Sequence, residues 1–439
     1  GTARRWKVTS LKESFDPRSN SIGFLRWLMA FMVIFSHAGP LGGFYGGHDL
    51  GTQWSTEQSL GGVAVAGFFF LSGFLITKSK MGRSSTPRYF WRRIMRIFPG
   101  WFLILLVTAY VFAPIAWMQE NGTMDGFWNA TFESPFTYFS NNMWLPLMQH
   151  NIAGMGTSIP FYEIHGGFEW NGSARTLAFE FGCYILVAIL GVIGALSNRM
   201  VGGIIATGII LLAMMQWFGG SNLAALTPAF GDYRVLLLYA PFAFGILFAL
   251  FGEKIPIDNR LAIACFLIAG FTYAKGGWLI VGQYAFCYLL IWFAIKAKML
   301  KNWDKHGDFS YGIYIVAWPL MQFGAYFGLE KTGWLIYHLV IVAGCHAYAY
   351  LSWHLIERPA LQLKDWTPKW LSAVLARTAR PRGAAMDWLD PNHAAAKAAR
   401  PPLPSRTPAP LTHPPAVPAA SSNAPAPVAL AAPSPESGP

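Results

Sequence analysis

Apolar stretches long enough to cross a bilayer recur from residue 22 to about residue 356, separated by short polar segments. They lie near residues 22–38, 60–77, 98–116, 177–196, 200–218, 233–252, 259–274, 277–295, 309–328 and 333–356. The pattern predicts an all-α, polytopic transmembrane helix bundle of about ten spans over residues 22–360. The seventh stretch is short and interrupted by Gly270; as a re-entrant hairpin with its neighbour it would leave the parity unchanged. The longest polar interval, residues 117–176, is rich in Trp, Asn, Gly and Pro, and long loops often carry function. It holds Asn-X-Ser/Thr triplets at Asn121, Asn129 and Asn171, a pattern short enough to arise by chance.

A few polar positions interrupt the apolar stretches. Arg26 and His37 are eleven residues apart on the first. At 100° and 1.5 Å per residue they lie within about 20° of one face and about 16 Å apart along the axis. Each alone reads as a snorkelling cation or a helix-to-helix contact; together they form a basic stripe suited to a site reached through the membrane. The segment RYFWRRIMRIFPGW clusters Arg92, Arg93 and Arg96 on one helix face, either as an interfacial anchor, which spacing alone favours, or as a clamp for phosphates. Ser72-Gly73 is a small-residue notch for close helix packing, a better reading than a nucleophile, since no base stands beside it. Glu180, near the outer end of the fourth stretch, needs a partner: His37 to form a His–Glu pair, or an arginine to form a structural one. His338, His346 and His354 recur every eight residues, a slow spiral that reads as polar contacts inside the bundle.

Composition fits this picture. Only 12% of residues are charged, against about 25% in soluble domains. Nineteen Trp supply interfacial anchors. With the N-terminus inside, the inner segments carry 23 Lys and Arg and the outer segments four, which predicts cytoplasmic N- and C-termini in a cell membrane. The net charge of +12 is then a topology signal, and nucleic acid is an unnecessary partner. The four cysteines, Cys183, Cys265, Cys287 and Cys345, lie in apolar stretches without metal-ligand spacing, so no metal site is expected. Residues 1–21 read as a cytoplasmic segment without a cleavable signal, and 361–379 as a juxtamembrane segment. Residues 380–439 read as a disordered Pro/Ala-rich cytoplasmic tail, dispensable or able to engage a protein partner through extended Pro-rich stretches.

Taken in order, these motifs resemble acyltransferase family 3, polytopic enzymes that acylate cell-surface carbohydrates and some small molecules. The resemblance covers about residues 20–360: Arg26-x10-His37; GVAVAGFFFLSGFLIT; the RxxR of Arg93 and Arg96; Glu180 with Tyr184; Ser310, Tyr311, Tyr314, Trp318 and Pro319; and Glu357-Arg358-Pro359. Where the ninth element often carries a His before Trp-Pro, this chain has Ala317. The resemblance implies an acyl-CoA donor, acetyl-CoA first, reaching in from the cytoplasm, and a hydroxyl of an extracytoplasmic carbohydrate or glycolipid as acceptor. His37 becomes the general base and Glu180 its orienting group or a sugar ligand. Arg26 stabilises charge or holds the pantetheine arm, and Arg92, Arg93 and Arg96 hold the donor's phosphates. Direct transfer is expected, with an acyl-His or acyl-Ser relay as the alternative. A glycan transporter or flippase, or a membrane scaffold, would also use ten spans, but the scaffold leaves the internal charges unexplained.

Overall fold

The computed structural model describes residues 9–82, 85–219, 233–301 and 303–366. The expected tail, most of the juxtamembrane segment and residues 1–8 lie outside the described residues.

A helix lies over each of the ten apolar stretches. In chain order these are α1 (Ile22–Gly42), α2 (Leu60–Met81), α3 (Thr86–Val107), α4 (Arg175–Val192) and α5 (Arg199–Gly219). There follow α6 (Tyr233–Leu250), α7 (Asn259–Lys275), α8 (Gln283–Lys296), α9 (Ser310–Ala325) and α10 (Trp334–Ser352). Among the described residues seven helices are long and apolar enough to cross a membrane; α7 and α9, with 17 and 16 residues, and the shorter apolar stretch Val235–Leu250 of α6 fall short. Large apolar side chains stay exposed along the helices, as Ile263, Phe266, Leu267 and Phe271 do on α7 and Leu335, Ile336, Leu339 and Val340 on α10. Water would penalise such stripes, and a lipid environment accounts for them: this is a multi-pass membrane protein.

The all-α expectation has one small exception, an antiparallel pairing of Thr9–Ser10 with Pro256–Ile257. Two helices outrun the hydropathy signal. α1 continues to Gly42, where Gly43 closes it in the left-handed conformation (φ 72°). α3 begins at Thr86 rather than near residue 98, because the arginine-rich segment is itself helical, and continues through a π-turn at Thr108–Phe112 to Asn121.

The Ser72-Gly73 notch is used. A Cβ on Gly73 would lie 2.2 Å from the Phe242 carbonyl oxygen, and one on Gly245 would lie 2.3 Å from that of Phe70. Two glycines therefore bring the backbones of α2 and α6 together, as small residues do between membrane helices. α9 runs through the middle of the bundle with nearly every side chain buried, packed on α1, α3 and α10. The four cysteines are free and buried in the helices. His338, His346 and His354 each place Nδ1 within 2.8 Å of the carbonyl four residues earlier, and His346 Nε2 accepts from Trp27. His346 thus links α10 to α1, a polar contact inside the bundle, whereas His354 bonds its own helix in an exposed contact.

Candidate active site

The polar positions of α1 to α4 and α9 meet around a cavity of about 120 Å³. Arg26, Ser72, Arg93, Arg96, Glu180 and Tyr184 line it, with Ser310, Tyr311 and Tyr314 of α9. At one end the carboxylate of Asp308, just before α9, accepts from Arg26 Nη1 at 2.7 Å and Arg96 Nη2 at 2.5 Å. Ser310 donates to the same carboxylate through its hydroxyl and backbone N–H. Burial alone would raise the Asp308 carboxyl, but the two guanidiniums and Ser310 hold it well below the usual carboxylate range. One anion between two cations joins α1, α3 and the start of α9, and the buried Glu357 brings a second carboxylate within electrostatic reach of both arginines.

Arg93 stands apart from that cluster. Its guanidinium lies 5.8 Å from the Tyr184 ring centre and 6.0 Å from that of Tyr89, and its buried Nε has no hydrogen-bond partner. The Tyr184 hydroxyl donates to Glu180, which also accepts from Ser72 at 3.4 Å. Thus Ser72 faces the cavity while Gly73 makes the packing contact. Arg92 does not line the cavity; it turns to the surface and bonds Asp365 at 2.6 Å. The helical wheel explains this: taking Arg96 as zero, Arg93 and Ile97 fall about 60° and 100° to one side and Arg92 about 40° to the other.

His37 lies beyond the other end of the cavity. Val65 and Tyr314 line that end, and Gly61 and Trp318, one turn or about 6 Å further along α2 and α9, sit at the histidine. The Trp318 ring meets the imidazole edge-on at 5.0 Å. His37 is not paired with Glu180. Its Nδ1 is 2.9 Å from Asp49 Oδ1, which also accepts from Ser36 at 3.0 Å; the Ser36 hydroxyl in turn accepts from Gly61 N–H. Burial would raise Asp49, but the bonds from His37 and Ser36 and the charges of His37 and His165 hold it below its ordinary value. An ionised carboxylate on Nδ1 makes that nitrogen the donor and leaves Nε2 as the acceptor. The imidazole keeps 18% of its surface exposed, so a small group can reach it.

Two prolines position this end. Pro40 has no N–H, so the Ser36 carbonyl four residues earlier is free, and Leu50 N–H donates to it at 3.2 Å, which holds Asp49 beside His37. Pro319 likewise frees the Ile315 carbonyl, which accepts from the Asn171 side chain at 3.0 Å. Asn171 is thereby buried and committed to the fold. Trp318 Nε1 and Gln322 donate to the Glu169 carbonyl, and Phe161 of the short helix Pro160–His165 packs on Trp318. The long polar interval is therefore folded onto the His37 end.

Sequence reasoning missed Asp49 and Asp308. Both lie in loops, where helical spacing carries no information, although Pro40 and the position just before SYGIY marked where to look. Among the described residues no three His, Cys, Asp or Glu side chains converge as metal ligands.

A bundle of apolar helices surrounds a cavity of arginines, with a carboxylate-held histidine beyond it, in a multi-pass membrane protein. The chain belongs to the acyltransferase 3 family: the family's profile, described as an acyltransferase domain, matches residues 19–353. It is 26% identical over 362 residues to an O-acetyl transferase of Shigella phage Sf6, covering 78% of this chain and 96% of that one. It is 25% identical over 360 residues to nodulation protein 10 of Rhizobium leguminosarum bv. viciae, covering 79% and 94%. A shorter match, 29% over 99 residues, joins it to the acyltransferase MdmB of Streptomyces mycarofaciens and covers 23% and 25%. No solved structure matches the chain.

Proposed function

We propose that this membrane O-acyltransferase moves an acyl group, acetyl first, from cytoplasmic acyl-CoA to a hydroxyl of an extracytoplasmic carbohydrate or glycolipid. The observation that carries the reading is the alignment of Arg26, Arg93 and Arg96 around one cavity whose opposite end lies one helical turn from His37. The Lys and Arg asymmetry of the sequence supports an arginine end on the cytoplasmic side, with ten spans and both termini inside.

The cavity is smaller than the roughly 300 Å³ at which whole-ligand pockets begin, so it receives the thioester arm rather than the entire donor. Arg93, with an unsatisfied Nε and no ion pair among the described residues, is the cation for the donor, while Arg26 and Arg96 are held in place by Asp308. Glu180, Tyr184 and Ser72 bond the polar groups of the arm. The acceptor hydroxyl gives its proton to His37 Nε2 as its oxygen attacks the thioester carbonyl. The new ester C–O bond forms, the C–S bond breaks, and His37 returns the proton to the departing thiolate. Asp49 positions the imidazole and stabilises its transient charge. Direct transfer needs no nucleophile of the protein's own.

Purified protein given radiolabelled acetyl-CoA and candidate glycans tests the reading. His37→Ala should abolish acceptor-dependent CoA release with membrane insertion intact. Retained release in that variant would exclude His37 as base, and glycan flux without CoA release would make the protein a transporter.

A further inference from the structure

A second cavity, of about 570 Å³, lies on the far side of the loop that carries Asp308. The loop serves both spaces: residues 304–307 line the second, while Ser310 and Tyr311 line the first. The other wall is the end of α10 and the turn after it. Lys305, His306, His354 and Arg358 bring four basic side chains to this space, and Trp353 and Tyr350 bring two flat rings. Lys305 and Arg358 form no ion pair among the described residues. His354 places Nδ1 2.8 Å from the Tyr350 carbonyl, which leaves Nε2 open. The one carboxylate of the wall, Asp304, is turned toward the first turn of α1: a Cβ on Gly23 would lie 2.6 Å from its Oδ2. A helix N-terminus is a favourable place for that charge. The wall is also tightly built, since a Cβ on Gly307 (φ 143°) would meet the Trp353 indole at 2.5 Å.

Size separates the two cavities. In the first, Asp308 answers Arg26 and Arg96 and Arg93 forms no ion pair among the described residues, but the space is too small for a nucleotide. The donor's nucleotide end carries a pyrophosphate, a 3′-phosphate and an adenine ring, and so needs unpaired cations beside a flat surface. The second cavity offers both. We propose that it is the docking site for the phosphorylated nucleotide end of the acyl-CoA donor, with phosphate on Lys305 and Arg358 and the adenine against Trp353 and Tyr350. The pantetheine arm then crosses the Gly307–Asp308 rim into the arginine-lined cavity. This inference rests on the acyl-CoA reading given above.

The test is equilibrium binding of radiolabelled CoA, dephospho-CoA and adenosine 3′,5′-bisphosphate to the detergent-purified full chain. Lys305→Ala/Arg358→Ala should weaken CoA and the bisphosphate about tenfold, the equivalent of one charge-assisted hydrogen bond. Dephospho-CoA should bind the wild type about that much more weakly than CoA and lose less in the variant. Lys305→Glu, a single change in the loop, should act in the same direction if the double variant folds poorly. Acetylpantetheine, which lacks both the nucleotide and every phosphate, should be turned over equally by wild type and variant. Unchanged CoA affinity in both variants would overturn the proposal. So would a variant that binds CoA normally but loses binding to vesicles of phosphatidic acid and phosphatidylcholine, which would assign the cations to a lipid headgroup. Wild type that binds CoA through these residues yet transfers no acetyl group would leave the docking site standing and remove the transferase reading instead.

Discussion

Asp49→Asn is the most informative single substitution. The amide oxygen can still accept from His37 and Ser36, so the loop keeps its place and the main loss is the negative charge beside the imidazole. With charges about 4 Å apart and an effective dielectric of about 20, that charge favours the imidazolium by about 4 kcal/mol. The Asp49 side chain is 34% exposed, and solvent screening roughly halves the figure to about 2 kcal/mol, or about 30-fold in kcat. KM for acyl-CoA should stay within a factor of about two, because Asp49 does not touch the arginine-lined cavity. Initial rates of CoA release, measured against both substrates across pH, read the two parameters separately. Asp49→Glu should recover part of the rate. A variant with wild-type kcat, or one whose entire loss lies in KM for the donor, would refute the role of the dyad.

Four further outcomes follow from the same geometry. Asp308→Asn leaves Arg26 and Arg96 facing each other half-buried and should cost about 3 kcal/mol of stability, measured by thermal denaturation in detergent. Because the folded pKa of Asp308 is depressed, its contribution is fully present above the ordinary carboxylate value of about 3.9 and is lost as pH falls below it; the acid limb of the wild-type stability curve should therefore be shallower in this variant. Arg93→Ala should raise KM for acyl-CoA about tenfold, whereas Arg92→Ala, which removes only a surface pair with Asp365, should leave it unchanged in the same assay. Gly73→Val would drive a side chain into the α6 backbone and should cost at least the 1–3 kcal/mol typical of overpacking, seen as reduced yield of folded protein in membranes.

The helices were legible because hydropathy in a membrane protein is nearly one-dimensional: every span must satisfy its own backbone in lipid, so each announces itself as an apolar run. What hydropathy hid was the first turns of α3, where arginines interrupt the run without interrupting the helix. The cavity was legible in part for the same reason. Arg26, Arg93, Arg96 and Glu180 are conspicuous because charge is rare in such segments, and all four line it. Spacing alone grouped Arg92 with them and left Glu180's partner open between His37 and an arginine, because a helical wheel gives direction but not the neighbour found there. The partners that complete both ends, Asp49 and Asp308, sit in loops where charge is ordinary.

Pro40 has a consequence beyond bending a helix. The Ser36 carbonyl has two potential suitors: the N–H that any other residue at position 40 would supply, and the N–H of Leu50 that now holds it. Proline removes the first, so the loop wins without competition. Replacing it with alanine would make α1 a better helix and the enzyme a worse one, because the same acceptor cannot serve both the helix ladder and the latch that keeps Asp49 at His37.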